Sequence, residues 1–371
     1  MRISARNPIV AGAAVAGTAG VGAGVVAWTR VELPDWLKPG PATSRPSAPA
    51  TAPAPTTGAG PRPGSDAPAP AAVSVGQLNV KNLFDIEDQP RRQDHVPSQP
   101  ELDVKLGKLA LTVRDAMGAP DVVALEEVEN EAVLRQLAEH PALRGLGYRG
   151  LLLEGRDPRG IDTALLYRDT RVTLTGAAQL DPDGTSPSGR RTKVFTRPPL
   201  VATFTPNGGV TDAATGAGQL GMVVNHFTSQ LQGTAGVRRR AVQAEHVAGL
   251  VDARRSATPG EVLVVTGDLN EGPDGPAVAR LRLRADGSER LTDVTDMVPA
   301  ADRYSFRRGR QRTLLDFLLV APEHRGRVSD VRIPHINSDA PAAAALEADT
   351  PSGASDHDPV TARVLLGAPA R

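Results

Sequence analysis

The residues able to do chemistry in this chain sit where apolar runs end. "QLNVKN" holds Asn79, "VVALEEVEN" runs into Glu126 and Glu127, "VVNHFTS" carries His226, and "VLVVTGDLN" ends on Asp268 and Asn270. Taken singly, each has an ordinary explanation. Asp and Asn end strands and open turns routinely, and a lone histidine on a strand is more often a hydrogen-bonded core residue than a ligand. Asp316 is different. It stands in the middle of "TLLDFLLV", where a carboxylate is costly to bury unless it is paired or hydrogen-bonded. A histidine is the obvious partner, because a buried Asp orients an imidazole and raises its basicity. The candidates are His226 and His357, the latter flanked by Asp356 and Asp358 in "SDHDPV" near the end of the chain.

Regular elements must carry these groups to one place. Strand-like runs span 73–80, 121–128, 161–168, 199–204, 221–227, 261–269, 313–320 and 360–366. Helical periodicity spans 103–117, where Val104, Leu106, Leu109 and Val113 lie near one face, and returns at 130–140 and 237–255. Asn130 is placed to cap the second helix and Pro141 to stop it. Helices interspersed among many strands, several joined by hairpin-length loops, predict a layered α/β domain rather than a purely parallel doubly wound sheet.

Composition removes several chemistries. The chain has no cysteine, which excludes disulfides, thiolate nucleophiles and zinc–thiolate sites. Aromatic residues make up only 3%, which argues against stacking platforms for single-stranded nucleic acid. At the N-terminus, Arg2 and Arg6 precede an uncharged run from Pro8 to Thr29, rich in Ala, Gly and Val. Residues 1–30 read as an export signal or a single anchoring helix, and either sends the remainder out of the cytoplasm. Residues 31–72 follow as a Pro/Ala-rich stalk with too little apolar surface to fold. Residues 73–371 are then the folded domain, expected to be monomeric. Beyond residue 72 the chain holds 36 basic and 39 acidic groups, a net −3, so it is not a basic domain.

The joint order Asn79, Glu127, His226, Asp268-x-Asn270, Asp316, Asp356-His357 resembles the endonuclease/exonuclease/phosphatase superfamily. "GDLN" (267–270) and "SDHDPV" (355–360) carry the likeness most strongly. "ALEEVEN" (124–130), "RGIDTALLYR" (159–168), "TRPPL" (196–200) and "NHFTS" (225–229) support it. The resemblance implies an α/β (α+β) four-layer sandwich, with two mixed β-sheets face to face and helices on the outer faces. It also implies divalent-metal-dependent hydrolysis of phosphate esters in a cleft where strand ends converge.

Carried onto this sequence, the resemblance makes Glu127 the principal metal ligand, with Asn79 beside it and Asp356 contributing. Such hard oxygen donors suit Mg²⁺, or Mn²⁺. Glu126 stands where relatives usually carry Gln and should point away from Glu127, because strand side chains alternate. His357, held by Asp316, is the general base or the electrostatic partner of the phosphate. Asp268 orients or deprotonates the attacking water, Asn270 binds a phosphate oxygen and His226 assists the leaving group. Asp162 is the expected carboxylate partner of His226, and Arg197 in "TRPPL" a phosphate contact or a solvated turn. Asp358 and Pro359 form the turn into the last strand. Thr228 stands where relatives often carry Lys. Arg238–Arg240 is expected to be a solvated helix start, and "RRGRQR" (307–312) a loop rimming the site. Nucleic acid is the first expectation for substrate and a lipid or small-molecule phosphate ester the second. A non-catalytic binding module is disfavoured, because no core residue is missing, and membrane contact is expected only through an uncleaved N-terminal segment.

Overall fold

A computed structural model describes residues 71–181, 183–185 and 191–367, together with the two-residue strand Thr29–Arg30. Apart from that strand and the start of the domain, the export segment (1–30) and the stalk (31–72) lie outside the described residues. Among the described residues, no helix is long and apolar enough to cross a membrane.

Twelve strands build two face-to-face sheets. They are β1 (Ala72–Leu83), β2 (Val122–Val128), β3 (Tyr148–Leu152), β4 (Asp162–Arg168), β5 (Val172–Gln179) and β6 (Leu200–Pro206). The rest are β7 (Leu220–His226), β8 (Val262–Asp268), β9 (Thr292–Asp293), β10 (Asp316–Val320), β11 (Val328–Arg332) and β12 (Val360–Leu365). The first sheet has the order β11-β12-β1-β2-β4-β3 and the second β5-β6-β7-β8-β10-β9, with Thr29–Arg30 along the β5 edge.

Each sheet contains one parallel pair, β1 with β2 and β7 with β8. A parallel pair needs a long crossover. α1 (Gln99–Leu111) makes the first and α3 (Gly233–Ala257) the second, so each sheet is covered by helix on its outer face. α2 (Glu131–Ala138) joins α1, and α4 (Pro276–Arg282) joins α3.

Side-chain alternation sorts the core accordingly. Leu78, Val123 and Leu125 face outward and pack with Leu102, Leu106, Leu109 and Val113 of the first helical layer. Val75, Val122 and Ala124 face inward and share a cluster with Met222, Val264 and Leu318 of the second sheet. The predicted four-layer α/β sandwich is the architecture observed.

Local details differ from the sequence reading. α1 begins four residues early, opened by a capping box between Ser98 and Glu101, so Leu102 is buried where Val104 was expected. Asn130 caps α2 by accepting a hydrogen bond from the Val133 N–H at 3.0 Å. Four strands, β3, β5, β9 and β11, escaped detection: β3 and β11 are short edge strands interrupted by charge, β9 has only two residues, and β5 (VTLTGAAQ) is a half-exposed strand with few large apolar residues.

Candidate active site

Three strand ends of the second sheet stand side by side. His226 at the end of β7 is registered with Asp268 at the end of β8, and Asp268 with Asp316 at the start of β10. Registered residues share a face, so all three side chains turn toward the first sheet. Gly267 makes the approach possible: it has φ 124°, and a Cβ there would lie 1.9 Å from the Asn225 carbonyl oxygen. This row is buried and rests on an unbroken ladder.

The facing end of the first sheet is irregular. The β1–β2 register shifts after Asn79, and the β2–β4 register shifts between Glu126 and Val128. Among the described residues, six non-glycines have positive φ, and three of them lie here, Lys81 (55°), Asn82 (54°) and Glu127 (67°), with a fourth, Asn270 (51°), just after β8 on the second sheet. Left-handed backbone at non-glycine positions stores strain and clusters at functional sites.

The bulge also corrects one expectation. Glu126 shares the inward face of Ala124 and Asn79, and its Oε2 accepts from Gln77 Nε2 at 2.8 Å. Glu127, turned by its φ, still reaches the same cleft, with Oε1 3.5 Å from Asn79 Nδ2 and 3.7 Å from His226 Nε2. The two glutamates are therefore not on opposite sides, because alternation fails where a strand bulges.

Hydrogen bonds stitch the two ends together. His357 Nδ1 lies 2.7 Å from Asp316 Oδ2, which also accepts from Ser305 Oγ at 2.6 Å. The other Asp316 oxygen accepts from Gln77 Nε2 at 2.7 Å. The fully buried carboxylate thus has three donors, two of which, Gln77 and Ser305, the sequence did not disclose. Asp268 Oδ2 accepts from Asn79 Nδ2 and from Asn270 Nδ2, each at 3.1 Å, and Oδ1 from the Asn270 N–H at 2.8 Å. His357 Nε2 is 4.0 Å and His226 Nε2 3.6 Å from Asp268 Oδ2.

Burial and charge set the protonation pattern. Burial alone would lower the His357 pKa, but Asp316 and Asp268 outweigh it and raise it to about 10, so the ring is an imidazolium at neutral pH. Burial pushes the Asp268 carboxyl up to about 7, against the pull of His357. Burial, with Asp316 alongside, holds Glu126 well above the usual carboxylate range. A protonated Glu126 has the shape and neutrality of the Gln usual in relatives. His226 is driven well below its ordinary value by burial and by Arg197 and Arg159, so it is neutral.

The donor set suits a hard divalent cation. Asp268, Asp316 and His357 place ligand atoms within 4.8 Å of one another. Asp316 is nevertheless committed to Ser305, Gln77 and His357, and Asp268 to Asn79 and Asn270, which leaves Glu127 and the Asn79 amide oxygen, with Asp356 at the rim, as the oxygen donors nearest the opening. An excess of buried carboxylate, visible in the raised Asp268, is what a cation relieves. Asp356 stands at the rim, 44% exposed, with Lys81 Nζ 3.8 Å away.

Four supporting expectations are corrected. Asp162 forms no hydrogen bond with His226; its Oδ2 accepts from the Gly155 N–H at 2.8 Å, and the His226 Nδ1 has no partner. Arg197 is neither a solvated turn nor a free phosphate contact. Its guanidinium is buried against Asp157 at 2.6 Å and the Phe227 carbonyl at 3.0 Å, an internal strut behind His226. Arg240 is likewise no solvated helix start, being buried on Glu271 at 3.2 Å and the Thr228 carbonyl at 3.1 Å. Asp358 is not a plain turn into the last strand either: it is fully buried and ties down residues 335–338, accepting from Asn337 and Ser338 N–H at 2.8 and 3.0 Å.

The lysines are a signal the sequence reading passed over. Only five occur in a chain rich in arginine, and two anchor the segment that delivers His357. Lys108 is buried and donates to the carbonyls of Ala344, Glu347 and Thr350 at 2.8, 2.7 and 3.0 Å, and Lys105 to Ala354 at 2.6 Å. A compact ammonium satisfies three converging carbonyls where a planar guanidinium does not fit.

Comparisons with known proteins agree with this geometry. A model of the Endonuclease/Exonuclease/phosphatase family matches residues 74–303. No curated protein matches the sequence. The fold is similar to an endonuclease/exonuclease/phosphatase protein from Bacteroides vulgatus (TM-score 0.52, 16% identity, 80% of this chain and 99% of that one). It is also similar to the human Nocturnin catalytic domain with bound sulfate (TM-score 0.51, 17% identity, 79% and 93%). A humanized D. rerio TDP2 gives a TM-score of 0.50 at 18% identity, over 79% and 98%.

Proposed function

The chain belongs to the endonuclease/exonuclease/phosphatase family of metal-dependent phosphoesterases, and from that premise we propose that it hydrolyses nucleic-acid phosphodiesters by in-line attack of water. The observation that carries this reading is the continuous set Ser305–Asp316–His357 facing Asp268, Asn79 and Glu127 across one cleft. A divalent cation held by Glu127 and Asn79, with Asp356 contributing from the rim, Mg²⁺ or Mn²⁺, would neutralise phosphate charge and lower the pKa of water.

This chain's own residues do the rest. Asp268, its carboxylate fixed by Asn79 and Asn270, orients the water and takes its proton as the new P–O bond forms. His357, kept charged by Asp316, faces the phosphate and stabilises the charge that builds there. Asn270 donates toward a phosphate oxygen. Neutral His226 stands on the side where the bond to the leaving oxygen breaks. The N-terminal segment supports an extracytoplasmic location, with residues 31–72 as a spacer.

The test incubates the full chain with plasmid DNA, RNA, sphingomyelin and bis-p-nitrophenyl phosphate, each with Mg²⁺ or EDTA. The reading expects metal-dependent cleavage of DNA or RNA. Turnover of sphingomyelin alone would replace it with a lipid phosphodiesterase.

A further inference from the structure

One surface beside the site is not used by this chemistry. Residues Phe306–Arg308 and Gln311–Thr313 form a two-stranded hairpin closed by Gly309 and Arg310, with Gly309 at φ 63°. Its base is fixed to the catalytic residues. Phe306 bridges to His357 and the two rings lie 4.9 Å apart, while the Asp358 N–H donates to the Ser305 carbonyl at 2.7 Å.

Strand alternation divides the four arginines of the hairpin. Arg307 and Arg312 are registered across the hairpin, so two like charges share one face. Asp339 neutralises both, at 2.7 and 2.8 Å, and Arg312 also lies over the Tyr304 ring. That face is internally satisfied. The opposite face carries Phe306 and Arg308, with Thr313 and Gln311 as their cross-strand neighbours. Arg308 and Arg310 are exposed, and among the described residues no hydrogen bond or ion pair engages either.

We propose that the Phe306–Arg308 face of this hairpin, with Arg310 at its tip, is a subsite for a single nucleic-acid strand running past the scissile phosphate. Phe306, half-exposed beside His357, offers a ring on which a base or sugar stacks. Arg308 lies two residues farther along the strand, about 7 Å away, and so meets a neighbouring phosphate rather than the one being cleaved. The low aromatic content excludes a row of stacking rings, but one ring with a cation beside it and another at the hairpin tip fits a short stretch of alternating base and phosphate. A small phosphate monoester is too short to reach the arginines.

This inference rests on the nucleic-acid reading above, and one experiment separates the two. The full-length wild type and an R308A/R310A variant are assayed with Mg²⁺ on a single-stranded oligonucleotide and on bis-p-nitrophenyl phosphate, across a salt series. For the oligonucleotide, KM is expected to rise about tenfold. The slope of log(kcat/KM) against log salt should become shallower by about 1.4, because each lost phosphate contact removes about 0.7 on a single strand. Turnover of bis-p-nitrophenyl phosphate should stay unchanged, and R308K/R310K should keep the wild-type salt slope. An unchanged oligonucleotide KM and slope in R308A/R310A would overturn the subsite, as would a parallel loss on both substrates. Wild type that hydrolyses bis-p-nitrophenyl phosphate but no oligonucleotide would overturn the nucleic-acid reading, and the subsite with it.

Discussion

The two sheets meet at the site in different ways. The second sheet delivers His226, Asp268 and Asp316 from an unbroken ladder, all three buried and in register. The first sheet delivers Asn79, Glu126 and Glu127 through two register shifts and three left-handed residues, Lys81, Asn82 and Glu127, with Glu127 partly exposed. Groups that must hold still, an orienting carboxylate and the acceptor of water's proton, sit on the regular end. Groups that must open toward a cation and a substrate sit on the strained one. A regular strand turns every second side chain away, whereas a bulge lets consecutive glutamates reach one cleft.

This contrast is open to attack from the regular side first. Asp268→Asn keeps the shape of the row but removes the proton acceptor, and kcat is expected to fall about 10²–10⁴-fold. Asp316→Asn, which cannot hold the His357 imidazolium, should fall by a comparable factor. Steady-state kinetics on bis-p-nitrophenyl phosphate checks both. A loss under tenfold in Asp268→Asn would mean that the regular row is structural.

On the strained side the effect should be one of cation affinity. Glu127→Gln is expected to raise the Mg²⁺ concentration giving half-maximal rate by about tenfold or more, comparable to the loss from disturbing groups around a metal. Much of kcat should return at high Mg²⁺. A Mg²⁺ titration of the rate distinguishes this from a uniform loss, which would place Glu127 in the chemical step.

Beside the bulged end of the first sheet lies Asp162, registered with Val128, whose carboxyl burial pushes up to about 7. Its pKa in the unfolded chain is about 3.9. The folded state therefore holds the proton more tightly, and stability falls as pH rises from about 4 to about 7. At about 1.4 kcal/mol per unit the full span is a ceiling of about 4 kcal/mol. The melting temperature of the wild type should drop between pH 5 and pH 8, and that of Asp162→Asn should drop less. Equal slopes in the two proteins would show that Asp162 is already ionised in the fold.

The same contrast explains what the sequence disclosed. Asp268, Asp316 and His226 stood out because a polar residue inside or at the end of an apolar run has few structural excuses, and a buried Asp316 demanded a donor. Glu126 was placed wrongly because nothing in "ALEEVEN" announces the left-handed turn at Glu127. Arg197 looked like a turn residue because "TRPPL" has turn composition; its burial depends on Asp157, forty positions away in the chain. Gln77, Ser305 and Lys108 are ordinary residues in ordinary contexts, and only tertiary packing makes them partners of the site. The layered fold was legible from the larger inner strands. The outer strands were not: β3 and β11 are interrupted by charge, which discourages pairing with other chains, and β5 has too few large apolar residues to stand out.

The most direct test compares the full-length wild type with His357→Ala on single-stranded and plasmid DNA, in Mg²⁺ and in EDTA. The account predicts metal-dependent cleavage by the wild type, abolished by EDTA, and a loss of about 10²–10⁴-fold in kcat for the variant. Wild-type rates from His357→Ala, or cleavage that survives EDTA, would contradict it.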